Sequence, residues 1–439
     1  MSRQFFVFGM APMHREYLNA VRGAENFHWL KLFTDDEIVW FPERPMAELL
    51  ALAEQQVKAY NGDVAGIINH WDFPSSTLHP ILCQQHGFRS ADLLAVLKCE
   101  HKYWSRLEQR KALPDWVPDF CAVDPFAEDP LEQLQFGFPF WLKPIVGHSS
   151  QLGFRIDDEA GFRRAIDIIR TEVRQLGELL NFALARVEVP PEVGAVDGNW
   201  CVAEKLLTGK QCGIEGTMVN GRYRVHGIVD TVKDSRNQSF TRYEYPSAWP
   251  EYAQEKICAA GEALLRQIGF DNSAFGIEFF WDPASDTFRV LELNTRISQS
   301  HSDQFVKVHG VSNHEAALDV ALDRETDFSA LQGEFRCAAK FMLRRYRNTV
   351  VTRVPDEAEL RALERSIPGC RIHPIVTEGQ QLGDLPGQDS YSYEIADICL
   401  GAQSQEELLS TYRDLAQQLH FEFADGKGFE AFQFDSVRY

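Results

Sequence analysis

With 439 residues the chain is longer than a single hydrophobic core serves, and two to four packed units are expected. Hydrophobic residues at 44% and charged residues at 25% are ordinary globular usage, while a formal charge of −20 offers no positive footprint for a phosphate backbone and speaks against nucleic acid as a partner. No apolar run is long enough for a signal peptide or a bilayer crossing, so no membrane partner and a cytoplasmic location are expected, and nine scattered cysteines without a Cys-x-x-Cys pair read as buried, reduced thiols.

In chain order, residues 4–8, 29–33 and 64–68 read as strands separated by helical patterns, the rhythm of a small α/β domain with a parallel sheet. A helical pattern over 99–113 ends at Pro114 and Pro118, which sets a first domain at 1–115. Strands then dominate as far as residue 330, interrupted by long helices expected at 158–183 and 252–268, and this 116–330 stretch carries the motifs with chemistry in them. Beyond it, a strand at 336–345 and helices at 356–366 and 404–419 make a smaller α+β domain over 331–439. The expected fold class is multidomain, α/β and α+β.

The most informative stretch is a pair of β-rich runs, Phe275 to Trp281 and Phe288 to Arg296, flanking a turn-forming Asp-Pro-Ala-Ser-Asp-Thr segment. A hairpin symmetric about residue 285 sets Glu278 opposite Glu292 with Cβ atoms roughly 4.5–5.5 Å apart, and the pleat puts Asn294 on the same face. Facing carboxylates repel unless a hard cation lies between them. An oxygen-only ligand set suits Mg2+, with Mn2+ as the alternative ion, completed by water and substrate phosphates. The plain reading is a pair of solvated glutamates on an amphipathic sheet. Apolar residues on both faces of each run argue for covered strands instead, and covered carboxylates need partners.

Upstream, Lys143 stands at the end of a β-rich run before Gly147-His-Ser149-Ser150-Gln-Leu-Gly153, a loop whose backbone N–H groups and hydroxyls could approach phosphate oxygens. It is no Walker motif, and alone it reads as a surface turn. Together, Glu278 and Glu292-Leu-Asn294-Thr-Arg296, followed by a segment containing His301, resemble the metal-binding signature of the ATP-grasp superfamily, with spacing similar to that of biotin carboxylases and L-amino acid ligases. The resemblance covers nearly the whole chain. It implies a Rossmann-like pre-ATP-grasp domain, an ATP-grasp domain of two subdomains with the nucleotide between them, and a biotin-carboxylase-like C-terminal α+β domain.

By the same resemblance, Gly147, Ser149 and Ser150 belong to a loop covering the triphosphate, and Cys99-Glu-His101-Lys102 is the start of a helix where Lys102 binds phosphate and His101 replaces an acid. Glu204 and the backbone of Lys205 to Leu207 form the adenine hinge. Gln211 takes the place of an acid that holds the ribose. Substrate-side candidates are Glu215, Lys233, Arg242, Ser298, Ser300 and His301.

The activity implied is ATP- and Mg2+-dependent joining of a small-molecule carboxylic acid, by family analogy an amino acid, to a small-molecule amine. The reaction passes through an acyl phosphate and releases ADP and phosphate. Arg296, just beyond the metal ligands, is the candidate catalytic residue, its planar guanidinium fork suited to a carboxylate or an oxyanion. A homodimer is compatible with the reading. The alternatives are bicarbonate activation of the biotin-carboxylase kind, against which Ser300 stands where an acid is required, and a non-catalytic ATP-binding module.

Overall fold

The computed structural model describes residues 2–39, 44–147, 152–236, 239–385, 388 and 391–434. They pack as two compact units: Met1–His226 with Pro250–Gln299 and His314–Asp327, and Gly227–Trp249 with Ser300–Asn313 and Phe328–Tyr439.

In the first unit, β1 (Arg3–Phe8), β2 (Phe27–Leu32) and β3 (Val64–Ile68) form the expected parallel sheet in the order β2-β1-β3. Phe5 to Phe8 are all buried, as strands covered on both faces require. A second, antiparallel sheet runs β4-β7-β5-β6, from Phe120–Val123, Phe140–Pro144, Phe154–Ile156 and Cys201–Lys205, numbered β4 to β7 in chain order. The helix Glu159–Leu184 covers it, setting Phe162, Ile166, Ile169 and Val173 against Phe140, Leu142 and Cys201. Asp158 starts that helix by accepting from the Gly161 N–H at 2.7 Å.

The third sheet of this unit is antiparallel, β8 (Lys210–Val219) beside β11 (Ser273–Asp282) beside β12 (Thr287–Asn294). The helix Glu251–Ile268 lies on one of its faces, where Gly261 lets it come so close that a Cβ there would stand 2.7 Å from Ile214 Cδ1.

The helical pattern expected over 99–113 is two helices, Leu93–Glu100 and Lys102–Ala112, broken at His101. His101 closes one and caps the other: its Nδ1 accepts from Trp104 N at 3.2 Å while Nε2 faces Val196 O at 2.8 Å. Burial lowers its pKa to about 4, so a neutral imidazole performs the capping expected of an acid.

In the second unit the order is β9-β10-β13-β16-β15, from the end of Arg222–Lys233 (β9) through Phe240–Tyr245 (β10), Cys337–Arg345 (β13), Tyr393–Ala402 (β16) and Arg371–Pro374 (β15). Val351–Arg353 (β14) and Glu422–Phe423 (β17) form a separate two-stranded pair. The helices Glu357–Ser366 and Gln405–Gln418 are capped by Asp356 and Ser404, and Tyr412 of the latter stacks on Phe341 at 3.9 Å. All nine cysteines are free, six of them buried. Among the described residues no helix is long and apolar enough to cross a membrane.

Candidate active site

The face of β8, β11 and β12 turned away from the helix Glu251–Ile268 carries the expected metal ligands. Glu278 pairs with Glu292 and Gly276 with Asn294 across β11 and β12, as the sequence suggested, but the route to that register differs. Near the turn, Asp282 pairs with Thr287 and Phe279 with Val290, a register that would have set Leu291 against Glu278. A β-bulge at Leu291 supplies the extra residue that turns Glu292 onto the Glu278 face.

On β8 the same face presents Gln211, Gly213 and Glu215, opposite Phe280, Glu278 and Gly276. Gln211 Nε2 donates to Glu278 Oε2 at 2.8 Å, and its buried Oε1 has no hydrogen-bond partner among the described residues. Glycines alternate with carboxylates here without crowding: a Cβ on Gly213 or Gly276 would meet nothing closer than 3.7 Å. The strand floor is therefore open at Gly213 and Gly276, with Arg296 Nη2 reaching Asn294 Oδ1 at 3.5 Å.

No three His, Cys, Asp or Glu side chains converge as a complete metal cage among the described residues. Two carboxylates and an amide oxygen are a partial set, of the kind Mg2+ completes with water and phosphate oxygens, so the donors present fit that ion.

Cations border this floor. Lys102 Nζ lies 3.3 Å from Glu292 Oε1 and donates to Gly147 O at 2.6 Å, while the Lys102 N–H donates to Ile145 O at 2.9 Å. Gly147 has φ +147°, a conformation that favours glycine. On β5, Lys143 Nζ lies 3.1 Å from Glu204 Oε2. Burial pulls the Lys143 pKa down against the pull of Glu204, and Glu204 itself, despite its burial, is held down to about 2 by Arg106 and Lys143. Both Glu204 oxygens are taken by these two cations, so at the hinge position its side chain serves the cations. Lys205 is exposed, pairs with Asp119 at 2.6 Å and spends its N–H on Asp119 O, and half-buried Leu207 follows it.

Beyond Asn294, Arg296 is fixed by a residue the sequence did not flag. Its Nε and Nη2 lie 2.7 and 2.6 Å from Asp72 Oδ1, and Nη1 donates to Ile297 O at 3.2 Å. Burial disfavours its charge, but Asp72 outweighs that and raises its pKa above the ordinary guanidinium value. Glu100 is also new: it accepts from Thr295 Oγ1 at 3.3 Å, and burial, reinforced by the Asp72 and Glu292 carboxylates, pushes its pKa up to about 7. Glu215, buried, accepts from the Ser298 N–H at 3.2 Å.

Ser149 and Ser150 lie outside the described residues. Lys233, Arg242, Ser300 and His301 belong to the second unit. There Lys233 sits 5.2 Å from the Phe240 ring, buried Arg242 pairs with Glu244, half-buried Ser300 and buried His301 lie on a short 3-10 turn, and the His301 ring meets Tyr243 edge-on at 5.2 Å.

No family model and no curated protein sequence matches this chain. Among solved structures, an L-amino acid ligase from Bacillus licheniformis superposes with a TM-score of 0.71 at 14% identity, covering 96% of this chain and 98% of that one. Carboxyaminoimidazole ribonucleotide synthase from Aspergillus clavatus, solved with ATP, gives 0.63 at 15% identity, covering 95% and 98%. The biotin carboxylase domain of 2-oxoglutarate carboxylase from Hydrogenobacter thermophilus, solved with MgADP and bicarbonate, gives 0.63 at 15%, covering 96% and 91%.

The fold is ATP-grasp. At these identities the likeness concerns the fold and leaves the chemistry to this chain's own residues. Of the residues expected to bear on metal and phosphates, the described ones Lys102, Lys143, Gly147, Glu278, Glu292, Asn294 and Arg296 all lie in the first unit.

Proposed function

We propose that the chain is an ATP- and Mg2+-dependent ligase that joins a carboxylic acid to an amine, releasing ADP and phosphate. The observation that carries this reading is the pairing of Glu278 with Glu292, Asn294 beside them, on a strand floor cleared by Gly213 and Gly276 and bordered by Lys102 and Arg296.

Glu278, Glu292 and Asn294 would hold Mg2+, and Lys102 and Lys143 would neutralise charge on the β- and γ-phosphates. Among the described residues the buried Gln211 Oε1 has no partner and is an acceptor suited to a ribose hydroxyl, and the Leu207 N–H has no acceptor and is a donor suited to the edge of adenine. Bound MgATP supplies the γ-phosphoryl group that activates the acid as an acyl phosphate. Arg296, held by Asp72, keeps one Nη1 hydrogen for a substrate oxygen as charge moves onto it. The amine then displaces phosphate. Two amino acids as acid and amine, and hence a dipeptide product, are the substrate class we favour, supported by the likeness to the L-amino acid ligase.

The test is phosphate release from ATP and Mg2+ by the purified protein, against pooled amino acids and, separately, bicarbonate with free biotin. Release with amino acids and a condensed product by mass spectrometry supports the proposal. Release only with bicarbonate and biotin transfers the site to carboxylation, and release in no pool counts against both.

A further inference from the structure

Among the largest side chains sealed inside the first unit is a charged one, Arg106, 1% exposed. A guanidinium stays protonated in a protein, so burying it demands acceptors for its five N–H groups. Arg106 stands one helical turn after Lys102, on the same face of its helix. Its Nε and Nη2 form a two-pronged pair with Glu204 on β7, at 2.7 and 3.0 Å. Its Nη1 donates to Gln109 Oε1 at 2.5 Å and to Val290 O on β12 at 2.8 Å. Val290 is the residue just before the bulge at Leu291 that brings Glu292 onto the site face. Glu204 in turn touches Lys143 Nζ at 3.1 Å through the oxygen that Arg106 Nη2 also holds.

The arrangement is two cations on one buried carboxylate, and only one of them belongs to the expected phosphate-binding set. We infer that Arg106 is a positioning residue for Lys143: by sharing the charge of Glu204 it keeps the Lys143 ammonium available to a phosphate. Without Arg106, the buried carboxylate has a single counter-charge, and Lys143 is drawn into a private ion pair. The tie to Val290 O holds the guanidinium in place and fastens the helix of Lys102 to the strand of Glu292. The inference rests on the nucleotide reading of the site proposed above, and its consequence is selective. Affinity carried by the outer phosphates falls, whereas affinity carried by the nucleoside end does not depend on Lys143.

The experiment is calorimetric titration of the purified full chain and its variants with MgATP and, separately, with AMP. Wild-type protein that binds neither nucleotide overturns the nucleotide reading itself, before any variant is compared. Given wild-type binding, Arg106→Gln is expected to raise the MgATP Kd roughly 10–30-fold, the value of one charged phosphate contact, with AMP affinity within about threefold. Adding Glu204→Gln removes the charge that traps Lys143, and the double variant should return to within about threefold of wild type for MgATP. A plain strut would lose AMP and MgATP alike and gain nothing from the second change, and either result overturns the inference. If Arg106→Gln alone does not fold by circular dichroism, the double variant decides, since it removes the buried carboxylate that the single variant leaves short of a counter-charge, and the Lys143 ammonium that loses its partner is 13% exposed. Near-wild-type MgATP affinity in it supports the role, and weak MgATP binding refutes it.

Discussion

Glu204→Gln should cost stability in a pH-dependent way whose size follows from the pairing of Glu204 with Arg106 and Lys143. The folded-state pKa of Glu204 is about 2 against an ordinary 4.5, and its side chain is almost wholly buried. The depression corresponds to roughly 3 kcal/mol of linkage at pH 7. Because the folded pKa is depressed, this stabilisation is complete above about pH 4.5 and is lost as pH falls through about 2. At pH 3 about 1 kcal/mol should remain. A neutral, isosteric glutamine has no such dependence. Guanidinium chloride denaturation of metal-free protein at pH 7 and pH 3 should therefore show a wild-type advantage that shrinks by roughly 2 kcal/mol. A difference below about 1 kcal/mol at pH 7, or one of equal size at both pH values, would refute the reasoning and mark the two cations as weakly coupled to Glu204.

Glu100 should behave with the opposite sign. Its pKa is pushed up to about 7, so the folded state is favoured fully below about pH 4.5 and loses that advantage as pH rises through about 7; Glu100→Gln is expected to stabilise metal-free protein at pH 8 by up to about 3 kcal/mol and to change nothing at pH 4, checked by the same denaturation. Gly276→Ala adds a methyl that would sit 3.7 Å from Arg296 O and 3.8 Å from Asn294 Cβ, an ordinary fit, so the melting temperature should hold or rise while ATP turnover drops about tenfold or more; unchanged turnover would place the ligand elsewhere. Asp72→Asn removes the counter-charge of Arg296 and should lower kcat/KM roughly 10–100-fold with the MgATP Kd within about twofold, and a matching loss of MgATP affinity would show that Asp72 acts on nucleotide binding.

Local patterning revealed most elements because caps and periodicity are local. Residues 64–68 are β3 as expected, and Asp158, Asp356 and Ser404 start their helices one residue inside the anticipated bounds. The break at His101 was hidden because histidine is an uncommon cap and the helical pattern continues on both sides of it. In the site, spacing alone revealed the facing glutamates. Arg106 carries a local mark as well, since it stands four residues after Lys102 on the same helix face. Asp72 does not: it meets Arg296 across 224 residues of chain, and a lone aspartate after a strand carries no local mark of such a partner.

The bulge at Leu291 leaves the two ends of one hairpin out of phase by one residue. Loop and site are thereby insulated from each other. The turn keeps its own pairing from Asp282 and Thr287 onward, and the step at Leu291 absorbs the mismatch before it reaches Glu292. Such a hairpin can tolerate drift in its turn sequence while conserving its chemistry. Ironing out the bulge with Leu291 still in the strand would instead set Leu291 opposite Glu278 and rotate Glu292 to the other side of the sheet.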